Sequence, residues 1–248
     1  MMNKMYRKFS DFYDELVFDI DYKKYSQNII DILSENNIQS GNLLEIACGT
    51  GNLTQRLAEN KNFKITAFDY SDQMLNHAYN KLIDHDNVDL LYFDMCKFPY
   101  DNFEFDAIIT LLDVINYILD DKKLKELFTK IYEGLKYGGV FIFDLNSKHK
   151  LLEVLADNTF VYERDNIFYT WENQLDGEEV NFDLNFFVKN DDGSYSRFEE
   201  NQIEKYHSIE KIKEILEEIG FKNISYRDED GGPYKENKSQ RILFHAIK

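Results

Sequence analysis

The chain has 248 residues, 43% hydrophobic and 30% charged, which suits one large domain or a domain with an insertion and argues against compositional disorder. Its 29 Lys and Arg face 46 Asp and Glu, a net charge of −17; a field of that sign repels phosphate, so neither nucleic acid nor a membrane surface is expected as partner. Two cysteines, Cys48 and Cys96, make no disulfide framework, and no apolar signal core or membrane-length run is present, so a cytoplasmic protein is expected.

Residues 1–38 read as an N-terminal helical cap, with Ile29, Ile30 and Leu33 at helical spacing in a helix over 22–38. From 43 to 146 the pattern alternates. Strands are predicted at 43–47, 64–70, 88–95, 105–112 and 140–146. Helices are predicted at 52–60, at 71–83 with Ser71 as N-cap, and at 121–137, the last ended by Gly138 and Gly139. The strands are apolar runs, the mark of a parallel sheet covered on both faces, and hence of a doubly wound α/β fold. After 146 the grammar changes. "IFYTWEN" (167–173) and "NFDLNFFV" (181–188) alternate, and Asp176-Gly177 and Asp192-Gly193 signal hairpins. Residues 147–206 therefore read as an antiparallel insertion of three or four strands. A helix from Ser208 to Gly220 and two final strands then return to the main domain, which comprises 39–146 and 207–248.

In such a sheet ligands sit at the carboxyl ends of the strands. The first strand runs into "LLEIACGTGNL" (43–53), where Gly49 and Gly51 leave backbone uncovered. A nucleotide-phosphate loop needs a Lys-Ser/Thr pair here, and none follows. A dinucleotide turn wants a third glycine where Thr54 stands, and Glu45 is unhelpful beside a pyrophosphate. A cofactor with a ribose and a cation but no phosphate fits better. Asp69, ending the second strand, can accept from both ribose hydroxyls. Asp94, ending the third, can accept from an adenine amine with Met95 behind the ring, and Tyr70 and Met74 are candidates to stack on it. No histidine or cysteine pair has metal-ligand spacing, so no metal is expected.

The ordered set, E-x-A-C-G-x-G (45–51), "FDYS" with Asp69, "FDM" with Asp94 and "FDAIITLLDVINYI" (105–118), resembles the successive motifs of the class I S-adenosylmethionine-dependent methyltransferases. "YRKFSDFYDEL" (6–16) resembles a segment preceding the domain in a small-molecule branch that includes sugar-amine and glycine N-methyltransferases. The resemblance implies a mostly parallel seven-stranded Rossmann-like sheet and S-adenosylmethionine as cofactor. It implies a small-molecule acceptor, an amine being favoured, and an insertion that covers the substrate pocket. It also implies that Tyr13 reaches the methionine end of the cofactor, with Glu45, Ala47, Gly49 and Gly51 around it, and that the Leu111 carbonyl accepts from the cofactor's amino group. Ala47 departs from the glycine common at that position. Asp113, Asn116 and Tyr117, just past the fourth strand, are the candidates for handling the acceptor. A monomer or homodimer is expected. Two rival readings are a cofactor-binding regulatory module without catalysis and an NAD-dependent oxidoreductase.

Overall fold

The computed structural model describes residues 10, 12–17, 20–164, 166–190 and 192–248; residues 6–9 and 11 of the N-terminal motif lie outside that set. Residues 12–16 are helical and precede α1 (Tyr22–Glu35). Then follow β1 (Gly41–Ile46), α2 (Asn52–Ala58), β2 (Phe63–Asp69), α3 (Asp72–Leu82), β3 (Val88–Tyr92), β4 (Phe105–Thr110), α4 (Asp121–Gly134) and β5 (Leu135–Asn146). After a π-helical turn over His149–Leu155 come β6 (Thr159–Arg164), β7 (Ile167–Asp176), β8 (Glu179–Lys189) and β9 (Tyr195–Lys205). The chain closes with α5 (Ile209–Ile219), β10 (Lys222–Asp228) and β11 (Arg241–Ile247).

Seven strands form one sheet in the order β10-β11-β5-β4-β1-β2-β3. The five from β1 to β5 pair in parallel, and β11 runs antiparallel between β5 and β10. Burial explains why these strands are unbroken apolar runs. Leu44, Ile46, Ile108 and Phe141 pack on one face of the sheet, while their neighbours Leu43, Ala107, Ile109 and Ile142 pack on the other. The helices start where the sequence signals them. Ser71 Oγ accepts from Met74 N to open α3, and Ser208 does the same for α5 through Lys211 N. Among the described residues no helix is long and apolar enough to cross a membrane.

Several boundaries differ from the sequence reading by a few residues, and two of the differences have a clear consequence. Gly138 and Gly139 do not end the fourth helix. It stops at Gly134, and Leu135 is already extended and paired with Phe105. The two glycines instead form an irregularity inside β5. Gly138 has a φ of +80°, and a Cβ on Gly139 would fall within 3.2 Å of three backbone oxygens. The third strand ends at Tyr92, so Asp94 and Met95 stand in the turn beyond it.

The second sheet has four antiparallel strands in the order β6-β7-β8-β9. Its inner face carries the apolar residues expected from β8, with Phe182, Phe186 and Val188 buried. Strand β9 lies on β8 with Glu204 opposite Val180, Gln202 opposite Phe182, Glu200 opposite Leu184 and Phe198 opposite Phe186. Side chains alternate along a strand. Glu200, Gln202 and Glu204 therefore share the face on which Phe198 meets Phe186 in an apolar cluster.

Candidate cofactor and acceptor site

The strand order reverses between β1 and its two neighbours, β4 and β2, and the crevice this opens is the expected ligand position. The turn after β1 has Ala47, Gly49 and Gly51 all at positive φ (56°, 55° and 79°). An L-residue in that region costs roughly 1–2 kcal/mol, so Ala47 stands where glycine would be the easier choice. The two glycines do different work. A Cβ on Gly49 would meet nothing within 4 Å, so that backbone faces open space. A Cβ on Gly51 would lie 3.0 Å from Ala78 Cβ and 3.1 Å from Leu82 Cδ1. Gly51 thus lets α2 pack on α3 and does not line the pocket.

Asp69 organises this turn. Its Oδ2 accepts from Gly49 N at 2.9 Å and its Oδ1 from Ser71 N at 2.8 Å. Each carboxylate oxygen keeps one further acceptor site for a ligand hydroxyl. Burial raises its pKa, and the amides of Ser71 and Gly49 pull the other way. Tyr70 is 63% exposed and stacks on Tyr92 with centroids 5.4 Å apart; it is therefore not a core residue. Met74 is half-buried beside it, in the first turn of α3. Asp94 Oδ1 accepts from Cys96 N, its Oδ2 pairs with Lys97 at 3.3 Å, and Met95 packs on the core.

Tyr13, Tyr22, Glu45, Ala47, Gly49 and Leu111 line one pocket at the end of β1. Glu45 is 4% exposed and its Oε2 has no hydrogen-bond partner among the described residues. Burial pushes its pKa up to about 8. The folded protein then holds a proton that the unfolded chain releases above about 4.5, so stability falls as pH rises between those values. Replacing Glu45 by Gln is expected to abolish that slope, measured by urea unfolding of the cofactor-free protein at pH 5 and pH 8. A variant with the wild-type slope would contradict it.

The N-terminal segment is clamped over the turn by a residue that sequence reading left without a role. Asp14 Oδ1 accepts from Thr50 Oγ1 (2.6 Å) and Asn52 Nδ2 (2.9 Å), and its Oδ2 pairs with Lys81 Nζ at 2.5 Å. Burial raises the Asp14 pKa, but these partners outweigh it and hold it low. The signal was present, since Asp14 is the acid of the quoted Tyr-Asp pair.

Past β4, Leu112 and Asp113 both adopt left-handed φ (64° and 60°). Asp144, fully buried on β5, holds this turn by accepting from Asp113 N at 2.9 Å. Arg241, at the start of β11, reaches Asp113 at 2.5 Å, Asp144 at 3.5 Å and Glu229 at 3.8 Å. Burial raises the Asp113 pKa, yet Arg241 and Lys150 outweigh it and keep the carboxylate charged. Glu204 arrives from the second sheet, accepts from Asn146 Nδ2 at 2.6 Å and touches Asp113. Burial, reinforced by Asp113, drives its pKa well up. Asn116 is a brace. Its Nδ2 donates to Lys205 O at 2.8 Å and its Oδ1 accepts from Asn146 N at 2.9 Å, which fixes the amide between β5 and β9. Tyr117 OH donates to Gln202 Oε1 at 2.7 Å, and its side chain is 40% exposed.

Beside this cluster lies a cavity of about 870 Å³, walled by Leu16 and Val17, by Tyr162, Tyr169 and Trp171 of the second sheet, and by the β10–β11 connection up to Arg241. It adjoins the pocket at β1. The 12–17 segment supplies Tyr13 to one and Leu16 to the other, and α1 likewise supplies Tyr22 and Tyr25.

A family model described as a methyltransferase domain matches residues 43–139. A Bacillus subtilis (strain 168) protein named as a methyltransferase, YqeM, is 31% identical over 246 residues, covering 98% of this chain and 97% of that one. The crystal structure of an S-adenosylmethionine-dependent methyltransferase from Clostridium acetobutylicum ATCC 824 superposes with a TM-score of 0.86 at 38% identity, covering 98% of each chain. The chain belongs to the S-adenosylmethionine-dependent methyltransferases. The sugar N-methyltransferase KedS8 from Streptoalloteichus sp. ATCC 53650 has the same fold, with a TM-score of 0.78 at 20% identity and coverage of 95% and 92%.

This methyltransferase is therefore an enzyme that uses S-adenosylmethionine, and its first-strand pocket fits that cofactor. The orphaned Glu45 oxygen suits a cationic group, and the bare Gly49 backbone leaves the room that a Cβ would fill. Of the residues predicted from sequence, Tyr13, Glu45, Ala47, Gly49 and Leu111 are brought to one pocket. Asp144, Glu204, Glu229, Arg241 and Lys150 were missed.

Proposed function

We propose that this methyltransferase moves the methyl group to a nitrogen of a small molecule held in the 870 Å³ cavity. The carrying observation is that cavity, walled in part by the second sheet and built, like the pocket at β1, on the 12–17 segment and α1. Pockets of this size hold small ligands. The aromatic side chains Tyr162, Tyr169 and Trp171 on the cavity wall support an amine-bearing ligand, whose cationic form they can stabilise on entry. The likeness in fold to a sugar N-methyltransferase agrees with it.

In this reading Asp69 accepts from both ribose hydroxyls. Asp94 and Met95 flank the adenine with Tyr70 and Met74, and the Leu111 carbonyl accepts from the amino group. Tyr13, Glu45, Ala47 and Gly49 enclose the methionine end. S-adenosylmethionine supplies an activated methyl whose leaving group is a neutral thioether. The protein's task is then alignment, for which proximity and orientation supply roughly 7–11 kcal/mol, and exclusion of water by the second sheet and the 12–17 segment. An attacking amine must be neutral. Asp113, held ionised by Arg241, and Tyr117 are the groups of this chain we assign to take its proton. The residues 1–38 act as a cap and 147–206 as the cover of the acceptor chamber.

The test is a screen of small amines, hydroxy acids and quinols with donor labelled in the methyl group. Label transferred to amines, with the methyl recovered on nitrogen, is the expected result. Transfer confined to oxygen or carbon acceptors would overturn the amine assignment, and tight NAD binding without S-adenosylhomocysteine binding would overturn the whole reading.

A further inference from the structure

The small molecule that fits this chamber has a second recognisable feature, which rests on reading the cavity as the acceptor site. We propose that it carries an anionic group, a carboxylate or a phosphate, on an apolar or aromatic body.

The argument comes from which charges on the cavity wall are already used. Four acids line it, and each is engaged within the protein. Asp21 caps α1 by accepting from Lys24 N, and Asp228 accepts from Asp230 N at 3.0 Å. Asp230 accepts from Gly232 N at 2.8 Å, and Glu229 accepts from Tyr25 OH at 2.7 Å. Arg241 is likewise matched by Asp113, Asp144 and Glu229.

Lys24, Lys150, Lys235 and Lys238 also line the cavity, and their ammonium groups have no hydrogen-bond or ion-pair partner among the described residues. Elsewhere Lys61, Lys81, Lys125 and Lys136 each find a carboxylate within 3.0 Å. Unpaired lysines at a rim are ordinary. Lys150 is different because it is half-buried, set by the turn after β5 where its backbone N–H donates to Ser147 Oγ. Lys150 feels the charges of Asp113 and Glu229 through space but forms no ion pair with either, so its half-buried ammonium at the cavity is left to pair with an anion. In a chain of net charge −17, four free cations converging on one chamber run against the overall field. The apolar lining, with Leu16, Leu155, Tyr162, Tyr169 and Trp171, has no use for charge and defines the apolar part of the ligand.

Binding of three probes of one shape tests this without knowledge of the acceptor. 1-Naphthyl phosphate, 1-naphthoate and the neutral 1-naphthalenemethanol are titrated into the full chain saturated with S-adenosylhomocysteine. At least one anionic probe is expected to bind about tenfold more tightly than the neutral one, with affinity falling as salt rises. Which anion wins distinguishes phosphate from carboxylate. Lys150→Gln is expected to remove about tenfold of the anion's affinity and to leave the neutral probe unchanged. Lys235→Gln/Lys238→Gln, on the exposed β10–β11 connection, gives a second reading if Lys150→Gln does not fold. Lys125→Gln, paired with Glu218 away from the cavity, should change nothing. Equal binding of all three probes, or anion affinity unaltered in both cavity variants, overturns the proposal. A failed amine screen beside anion-selective binding would fault the nitrogen assignment alone.

Discussion

Asp69→Ala is expected to weaken S-adenosylhomocysteine binding by at least about 3 kcal/mol, some hundredfold or more, as read by calorimetry. The size follows from two tasks on one carboxylate. It is proposed to accept from two ribose hydroxyls, and hydrogen bonds to a charged acceptor contribute roughly 1.5–3 kcal/mol each. It also holds Gly49 N and Ser71 N, and so fixes the turn on which the rest of the cofactor lies. Alanine strands both amides as well as the hydroxyls. Asp69→Asn should do little better, because its NH₂ group confronts an N–H donor. Affinity within twofold of wild type would show that the ribose lies elsewhere.

Arg241→Met should be the most destabilising single change near the site. It leaves Asp113 and Asp144 buried, in contact through a backbone hydrogen bond, without their shared cation. Removing one partner of a buried ion pair costs roughly 3–5 kcal/mol. The pH dependence gives the cause away. Asp113 has its folded pKa held below the unfolded value, so its pairing contributes stability above the unfolded pKa, lost as pH falls through the folded one. In the variant the stranded carboxyls are relieved by protonation. The deficit relative to wild type should therefore be largest at pH 7 and shrink towards pH 4, in urea unfolding at each pH. A deficit independent of pH would mean that lost packing, not charge, is responsible.

The parallel sheet was legible because its physics is local. A strand buried on both faces must be an apolar run, and Ser71 and Ser208 cap helices where they stand in sequence. The errors lay where tertiary pairing decides. Leu135–Lys136–Tyr137 continue a helical pattern, but pairing with Phe105 draws Leu135 into β5. Strand β6 is almost wholly exposed and β9 is rich in acids, so neither shows the alternation that marked β8. The grouping of Glu45, Ala47, Gly49 and Leu111 in one pocket was readable because each stands at or just past the end of a neighbouring strand. The charged cluster was not. Arg241 reads as the start of a final strand and Asp144 as one acid within an apolar run. Only folding brings them to Asp113, and only the insertion delivers Glu204. Asp14 was quoted in a motif, yet its partners Thr50, Asn52 and Lys81 are distant in sequence.

The central claim is that the cofactor lies across the ends of β1, β2 and β3 with its sulfur turned towards the chamber under the second sheet. A crystal structure of the full chain with S-adenosylhomocysteine tests it most directly. The account predicts both ribose hydroxyls within 3.2 Å of the Asp69 carboxylate, about the limit of a hydrogen bond, the adenine between Tyr70 and Asp94, and the sulfur open to the cavity beside Asp113. A ribose away from Asp69, or a sulfur walled off from that cavity, would contradict it.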